Sequence, residues 1–102
     1  MIMGKVVGTV VSTQKDEGLE GYKLLLIQEV DASTMELKDK FNVCVDTIGA
    51  GEGEVVITVA GSSARLTEHT ENKPVDTAII AVVDTVDTLG SRVYSKFKQA
   101  GK

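Results

Sequence analysis

Several residue types that catalytic, metal-binding and membrane proteins rely on are scarce in this chain. Its 102 residues include one cysteine, one histidine, one proline and no tryptophan. A single cysteine excludes an intramolecular disulfide, and Cys44 lies in an apolar segment where a small buried side chain is expected. No apolar run approaches the roughly 20 residues that span a bilayer, and the N-terminus lacks the apolar stretch of a signal peptide. The sequence therefore predicts a soluble, cytosolic protein that does not associate with membranes.

The candidate chemical groups have no partners at a useful spacing. His69 lies in a polar segment far along the chain from Cys44, whereas a metal site needs several such ligands together. The segment that ends in Arg65 lacks the last glycine of the G-x-S-x-G nucleophile motif. Asp84 and Asp87 lack a second type of catalytic partner and fit strand-end or turn positions. We therefore predict no catalytic residues, no cofactor and no metal, and a protein that is not an enzyme.

Binding of nucleic acid is disfavoured by charge and by the shortage of aromatic residues. The net charge is -4, whereas nonspecific binding depends on lysine and arginine displacing counterions. Single-strand binding also uses a row of stacking aromatics, and the chain has only Tyr22, Phe41, Tyr94 and Phe97. The basic C-terminal tail fits an anionic partner, a solvated terminus or an arm that clasps a neighbour. A small binding module for an anionic ligand or single-stranded nucleic acid is kept as the alternative function.

The residues that are abundant indicate strands. Valine and threonine recur in five segments, at residues 2–13, 22–30, 41–47, 54–60 and 78–87. Glycine-rich turns separate them, and only a short helix fits between residues 61 and 77. This pattern predicts an all-β fold, a five-stranded Greek-key barrel of the oligonucleotide/oligosaccharide-binding type with short helical turns. We place the barrel at residues 1–88 and a C-terminal tail at residues 89–102.

The glycine-rich run at residues 46–54 (DTIGAGEGE) invites comparison with a phosphate-binding loop. A phosphate loop is followed by a helix whose N-terminus faces the anion, but here a β-branched run, residues 55–59, follows. Glu52 and Glu54 would also repel a phosphate. We therefore interpret the run as a tight connection between two antiparallel strands, in which glycine permits positive φ angles.

Two of the predicted strands are apolar on both faces. Leu24 and Leu26 alternate with Leu25 and Ile27, and residues 78–83 are apolar throughout. A barrel strand normally has one dry and one wet face, so something must cover the second face. One explanation is that the C-terminal segment folds back over it. The other, which we favour, is packing between copies of the chain, because symmetric homo-oligomers are common.

Five blocks of the sequence, taken together, resemble the vertex proteins of bacterial microcompartment shells, the EutN/CcmL family. Their order along the chain is that of the family. The blocks are residues 8–15 (GTVVSTQK), 19–25 (LEGYKLL), 45–54 (VDTIGAGEGE), 61–65 (GSSAR) and 74–84 (PVDTAIIAVVD).

The resemblance implies a structural protein that forms a homopentamer, fills the fivefold vertices of a carboxysome or metabolosome shell in the cytoplasm, and contacts hexameric shell proteins. It also implies that two segments lie at subunit contacts or around a central pore. These are Gly49, Ala50 and Gly51 in the first segment, and Ser62, Ser63 and Arg65 in the second.

Overall fold

The barrel is built from the first five of the seven strands in the described part of the chain. A computed structural model describes residues 1–12, 18, 21–61, 64, 66 and 76–96. The strands are β1 (Ile2–Val10), β2 (Lys23–Val30), β3 (Leu37–Asp46), β4 (Val55–Ala60), β5 (Thr77–Val82), β6 (Thr85–Thr88) and β7 (Ser91–Ser95). The closed barrel has the order β1-β2-β3-β5-β4, and β6 and β7 form a separate hairpin. The predicted five-stranded, all-β barrel is confirmed.

The C-terminal part of the fold differs from the prediction. The strand expected at residues 78–87 is divided between β5 and β6, and the predicted tail contains β7. The division occurs where the backbone changes partner. Val83 N donates to Val55 O in the barrel (2.8 Å), whereas Lys96 N donates to Asp84 O beside the hairpin (2.8 Å). The domain boundary placed at residues 88/89 stays a prediction, and it falls at the hairpin turn.

The barrel interior is aliphatic, as the sequence predicts. One cluster of buried residues fills it: Val6, Leu25, Ile27, Cys44, Ala50, Val56 and Ile79. Leu25 is 0% exposed and Ile27 is 2% exposed, so this face of β2 points inward, and Leu24 and Leu26 point outward. Strand alternation therefore turns half of the apolar side chains of β2 to the outside of the barrel.

Two regions of the barrel's outer surface are covered by the chain itself. In the first, the Ala64 sector, Ala64 packs with Val45 and Ala78 and with the partly buried Tyr22, Leu24 and Val59. In the second, the hairpin sector, Tyr94 of β7 packs with Val55 and Val83 and with the partly buried Met3, Met35, Ile57 and Val86. The C-terminal segment thus folds back over part of the second face, which was the less favoured of the two explanations.

A third region remains uncovered by the described residues. Val43 pairs with Leu26, and Phe41 pairs with Gln28, on the outer side of β2 and β3. Phe41 is 49% exposed, Val43 48% and Leu37 53%. We name Leu26, Leu37, Phe41 and Val43 the β3 face.

Candidate assembly site

Two carboxylates fix the shape of the glycine-rich loop between β3 and β4. At its start, Asp46 Oδ1 accepts hydrogen bonds from the backbone N–H groups of Ile48 (3.1 Å) and Gly49 (3.2 Å). At its end, Glu54 Oε1 accepts one from Gly51 N (2.6 Å). Gly49 has φ 83°, a conformation that other residues rarely adopt. The loop is therefore a preorganised surface feature rather than a flexible linker. It connects β3 to β4, as the sequence predicts, but it is not a hairpin turn, because β5 lies between these two strands in the barrel.

Each of these carboxylates has a lysine beside it. Lys23 Nζ donates to Ala50 O (3.1 Å) and lies 3.9 Å from Asp46 Oδ2. Lys96 Nζ lies 2.8 Å from Glu54 Oε2. The hydrogen bond from Lys96, with that from the Gly51 N–H, holds the pKa of Glu54 below its usual value, and the same contact raises the pKa of Lys96. The loop is thus tied both to β2 and to the end of the C-terminal hairpin.

Sequence reasoning missed both lysines. Lys23 is directly opposite Asp46 in the β2–β3 ladder, and opposite charges at facing positions stabilise a sheet. That signal becomes readable only when the register of the two strands is known. Lys96 lies more than 40 residues beyond Glu54 in the chain, within the segment interpreted as a tail, so no local pattern pointed to it.

The structure describes three of the six residues predicted to lie at subunit contacts or around a pore. Gly49 is exposed, Gly51 is half-buried, and Ala50 is buried within the barrel core. Ser62, Ser63 and Arg65 lie outside the described residues, as does His69. The structure therefore brings Gly49, Ala50 and Gly51 together beside Lys23 and leaves their role at a contact or pore as a prediction.

The described surface offers little for binding a small molecule or a metal. An open depression of about 330 Å³ lies beside the loop, lined by Gly21, Tyr22, Lys23, Asp46, Thr47 and Gly49. Among the described residues, no group of three or more His, Cys, Asp or Glu could hold a metal ion. Burial, with a smaller contribution from Asp76, raises the pKa of the Cys44 thiol to about 11, which disfavours the reactive thiolate.

The described aromatic side chains are spread over the outer surface of the barrel. Tyr22 is half-buried, Phe41 is half-exposed and Tyr94 is buried. They belong to three different regions of the outer surface and do not form a row on which bases could stack. In the described part of the chain, no helix has the length and apolar character needed to cross a bilayer.

Two lysines near the β3 face are drawn away from it. Lys38 Nζ lies 2.9 Å from Glu29 Oε2, and Lys40 Nζ lies 3.9 Å from Glu29 Oε1. The hydrogen bond from Lys38 lowers the pKa of Glu29. Alternation along β3 places Lys38 and Lys40 on the opposite side of the strand from Phe41 and Val43. The β3 face is therefore an apolar strip that the exposed Asp39 interrupts between Leu37 and Phe41, with an ion-paired cluster beside it.

Comparison with known proteins places this barrel in a family. A family profile described as "Ethanolamine utilisation protein EutN/carboxysome" matches residues 1–84. The carboxysome shell vertex protein CcmL of Nostoc sp. (strain PCC 7120) is 46% identical over 100 residues, which cover 97% of this chain and 98% of that protein.

Two solved structures have the same fold. CcmL of Gloeobacter violaceus superimposes with a TM-score of 0.90 at 39% identity, covering 95% of this chain and 99% of that one. The pentameric microcompartment shell protein GrpN of Rhodospirillum rubrum superimposes with a TM-score of 0.79 at 45% identity, covering 87% and 100%. The chain belongs to the EutN/CcmL family, as its five sequence blocks indicate.

Proposed function

We propose that this protein is a structural component of a bacterial microcompartment shell, in which five copies form the cap of a fivefold vertex. The observation that carries this proposal is the match to GrpN. A protein described as a pentameric microcompartment shell protein is 45% identical to this chain and is matched along 100% of its own length. Relatives named as shell vertex proteins of carboxysomes and other microcompartments match most of the chain as well.

The structure gives physical support to a ring. Three large apolar side chains of the β3 face remain about half exposed in the single chain, and burying such surface against neighbours is favourable at roughly 25 cal/mol per Å². The net charge of -4 and the scattered aromatics offer no comparable support for a nucleic-acid-binding module. We therefore argue for one function only, and we assign the chain no catalytic activity.

Two finer points belong to the proposal. A closed polyhedral shell needs pentagons among flat tiles of six-subunit proteins, so we propose hexameric shell proteins as the partners around the rim of the pentamer. We also propose that Gly49, Ala50 and Gly51, together with Ser62, Ser63 and Arg65, lie at subunit contacts or around the central opening. The loop from Asp46 to Glu54 supports this placement. Hydrogen bonds from its backbone to these two carboxylates hold it in one shape, and a rigid, glycine-rich backbone permits close approach near a symmetry axis.

Native mass spectrometry and sedimentation of the purified chain test the ring directly. We expect a species of about five times the chain mass of 10.8 kDa. A stable monomer at micromolar concentration would contradict the proposal. Co-expression with hexameric shell proteins tests the vertex role. We expect closed particles with the chain present and open or elongated assemblies without it.

A further inference from the structure

We propose that the β3 face, together with the open edge of β3, is the surface that the neighbouring copy covers in the ring. This inference rests on the proposed pentamer and names the part of the chain through which its subunits meet. It goes beyond the loop residues discussed above, because Leu37, Phe41 and Val43 were not predicted to be contact residues, and Leu26 was named only as part of a strand that is apolar on both faces.

The first argument concerns which parts of the barrel's outer surface are buried by the chain itself. In the Ala64 sector, Val45 and Ala78 are buried by the chain itself, and in the hairpin sector Val55 is buried under Tyr94. On the remaining outer surface, Phe41 and Val43 stay about half exposed. Adjacent exposed apolar side chains on a strand are a marker of an interaction surface. The occupant of this third region is absent from the described chain.

The second argument is the backbone of β3. On one side, β3 pairs with β2 from Leu37 to Asp46. On the other side, it pairs with β5 only at Val45 and Asp46. Within the described residues, the earlier part of β3 therefore presents an edge without a partner strand. Such an edge carries free N–H and C=O groups that favour pairing with another chain.

The third argument is the location of β3 within the family. The profile match ends at residue 84, before the β6–β7 hairpin begins at Thr85. The pentameric GrpN structure covers 87% of this chain. A contact that maintains a ring in both proteins must lie in the part they share. The β3 face lies in that part, and β7 lies outside the profile match.

A second copy fits this surface better than another class of partner. A closed ring places an identical neighbour against each flank of every subunit, so the contact joins two different surfaces of the same chain. Stable contacts bury about 800 Å² per partner, and a strip along the ten-residue β3 with its edge contributes a substantial part of such an area. The ion pairs of Lys38 and Lys40 with Glu29 leave the strip free of lysine side chains, and the charge within it is that of the exposed Asp39, at its Leu37 end.

Substituting Val43→Asp in the full-length chain tests the proposal. A carboxylate placed in an apolar contact is desolvated without a partner, so we expect the concentration at which the ring half-dissociates to rise by about 100-fold or more. The matched control is Val93→Asp. Val93 is also a strand valine, it is 38% exposed against 48% for Val43, and it lies on β7. Native mass spectrometry measures the assembly, and far-UV circular dichroism shows whether the barrel remains folded.

The outcomes separate this inference from the function on which it rests. A monomeric wild-type chain would remove the pentamer and the inference together. A pentameric wild type with an intact Val43→Asp pentamer would overturn the inference alone, as would dissociation by Val93→Asp only. In that case Lys38 and Lys40 hinder the exposed edge of β3 from pairing with another chain, or the β3 face contacts a hexameric shell protein. Dissociation of Val43→Asp into folded monomers, with Val93→Asp still pentameric, supports the inference.

Hydrogen exchange of the wild-type ring decides the matter if Val43→Asp does not fold. Along an antiparallel pair, alternate N–H groups point away from the partner strand. If a neighbour covers the edge of β3, the amides of residues 41–44, where β3 pairs with β2 in regular register, exchange slowly at successive positions. Fast exchange at every second position would show that the edge is open to water in the ring, and the inference would then be wrong.

Discussion

Gly4 illustrates how closely the inner face of the barrel is packed. It is buried on β1, directly opposite Glu29 of β2 and Val56 of β4. A Cβ atom there would collide with Ile27 Cγ2 and lie 3.0 Å from Gln28 O, which belongs to the backbone. We therefore expect Gly4→Ala to lower the free energy of unfolding by about 1–3 kcal/mol, measured by denaturant titration.

Gly8 provides the matched control on the same strand. A Cβ atom at Gly8 would meet only Leu26 side-chain atoms, at 3.8 Å, which is ordinary van der Waals contact. Gly8→Ala should change stability by less than about 0.5 kcal/mol. Equal losses for the two variants would show that backbone entropy or strand propensity, rather than the collision with Ile27, determines the cost.

Single residues also show what sequence patterns could predict. Gly49 and Gly53 were expected to permit the turn, and both have positive φ angles. Ala50, between Gly49 and Gly51, is instead 0% exposed and belongs to the barrel core. The pattern G-A-G identifies a backbone that bends, but the direction in which the alanine points also depends on Lys23, which donates to Ala50 O from a distant part of the chain.

At the scale of elements, the Glu54–Lys96 contact joins the glycine-rich loop to the C-terminal hairpin. The pKa of Glu54 is lowered from 4.5 in the folded protein. A group with a depressed folded pKa stabilises the protein fully above its unfolded pKa, and this contribution is lost as the pH falls through the lower folded value. We expect Glu54→Gln to lower the thermal midpoint at pH 7 and to approach the wild type below pH 4.

Glu52→Gln is the control for this comparison, because Glu52 is an exposed carboxylate of the same loop. Subtracting the two pH profiles removes the contributions of Glu29, Asp31 and Asp87, whose pKa values are lowered by their own hydrogen bonds. A difference between wild type and Glu54→Gln that stays constant down to pH 3 would contradict the proposed ionic contribution.

The hairpin is expected to stabilise the barrel through Tyr94. This side chain is 6% exposed and packs with Val55 and Val83 over the outer side of β4. We expect Tyr94→Ala to lower the free energy of unfolding by about 3 kcal/mol. Val93→Ala, at the neighbouring and partly exposed position, should cost less than about 1 kcal/mol. Similar effects of the two substitutions would mean that the hairpin does not cover the barrel in solution.

The division of β5 from β6 marks the limit of reading elements from sequence. Residues 78–83 are apolar without interruption, and residues 85–88 remain compatible with strand. The change occurs because Val83 still bonds to β4 through Val55, whereas Asp84 accepts a hydrogen bond from Lys96. Both partners lie far away along the chain, so hydrophobic periodicity predicts the strands but not the position at which they change sheets.

At the scale of the whole molecule, the strands with two apolar faces predicted that the outside of the barrel needs cover, but not what provides it. The sequence indicated that the barrel needs cover on its outside. In the structure, the chain itself covers the Ala64 and hairpin sectors, and the β3 face stays exposed. The pattern of Leu24 to Ile27 could not distinguish these sources, because an outward leucine is the same in sequence whether Ala64 or a second copy lies over it.

If the neighbouring copies supply the missing cover, stability depends on concentration. Association that occurs only in the folded state stabilises it by mass action, so the thermal midpoint rises with protein concentration. We expect a rise of several degrees between about 1 and 100 μM for the wild type, measured by scanning fluorimetry and calorimetry. The folded Val43→Asp monomer should show no such rise. A wild-type midpoint that stays constant while the ring dissociates on dilution would mean that the subunit is stable without its neighbours, and the exposed β3 face would then contribute to assembly without contributing to folding.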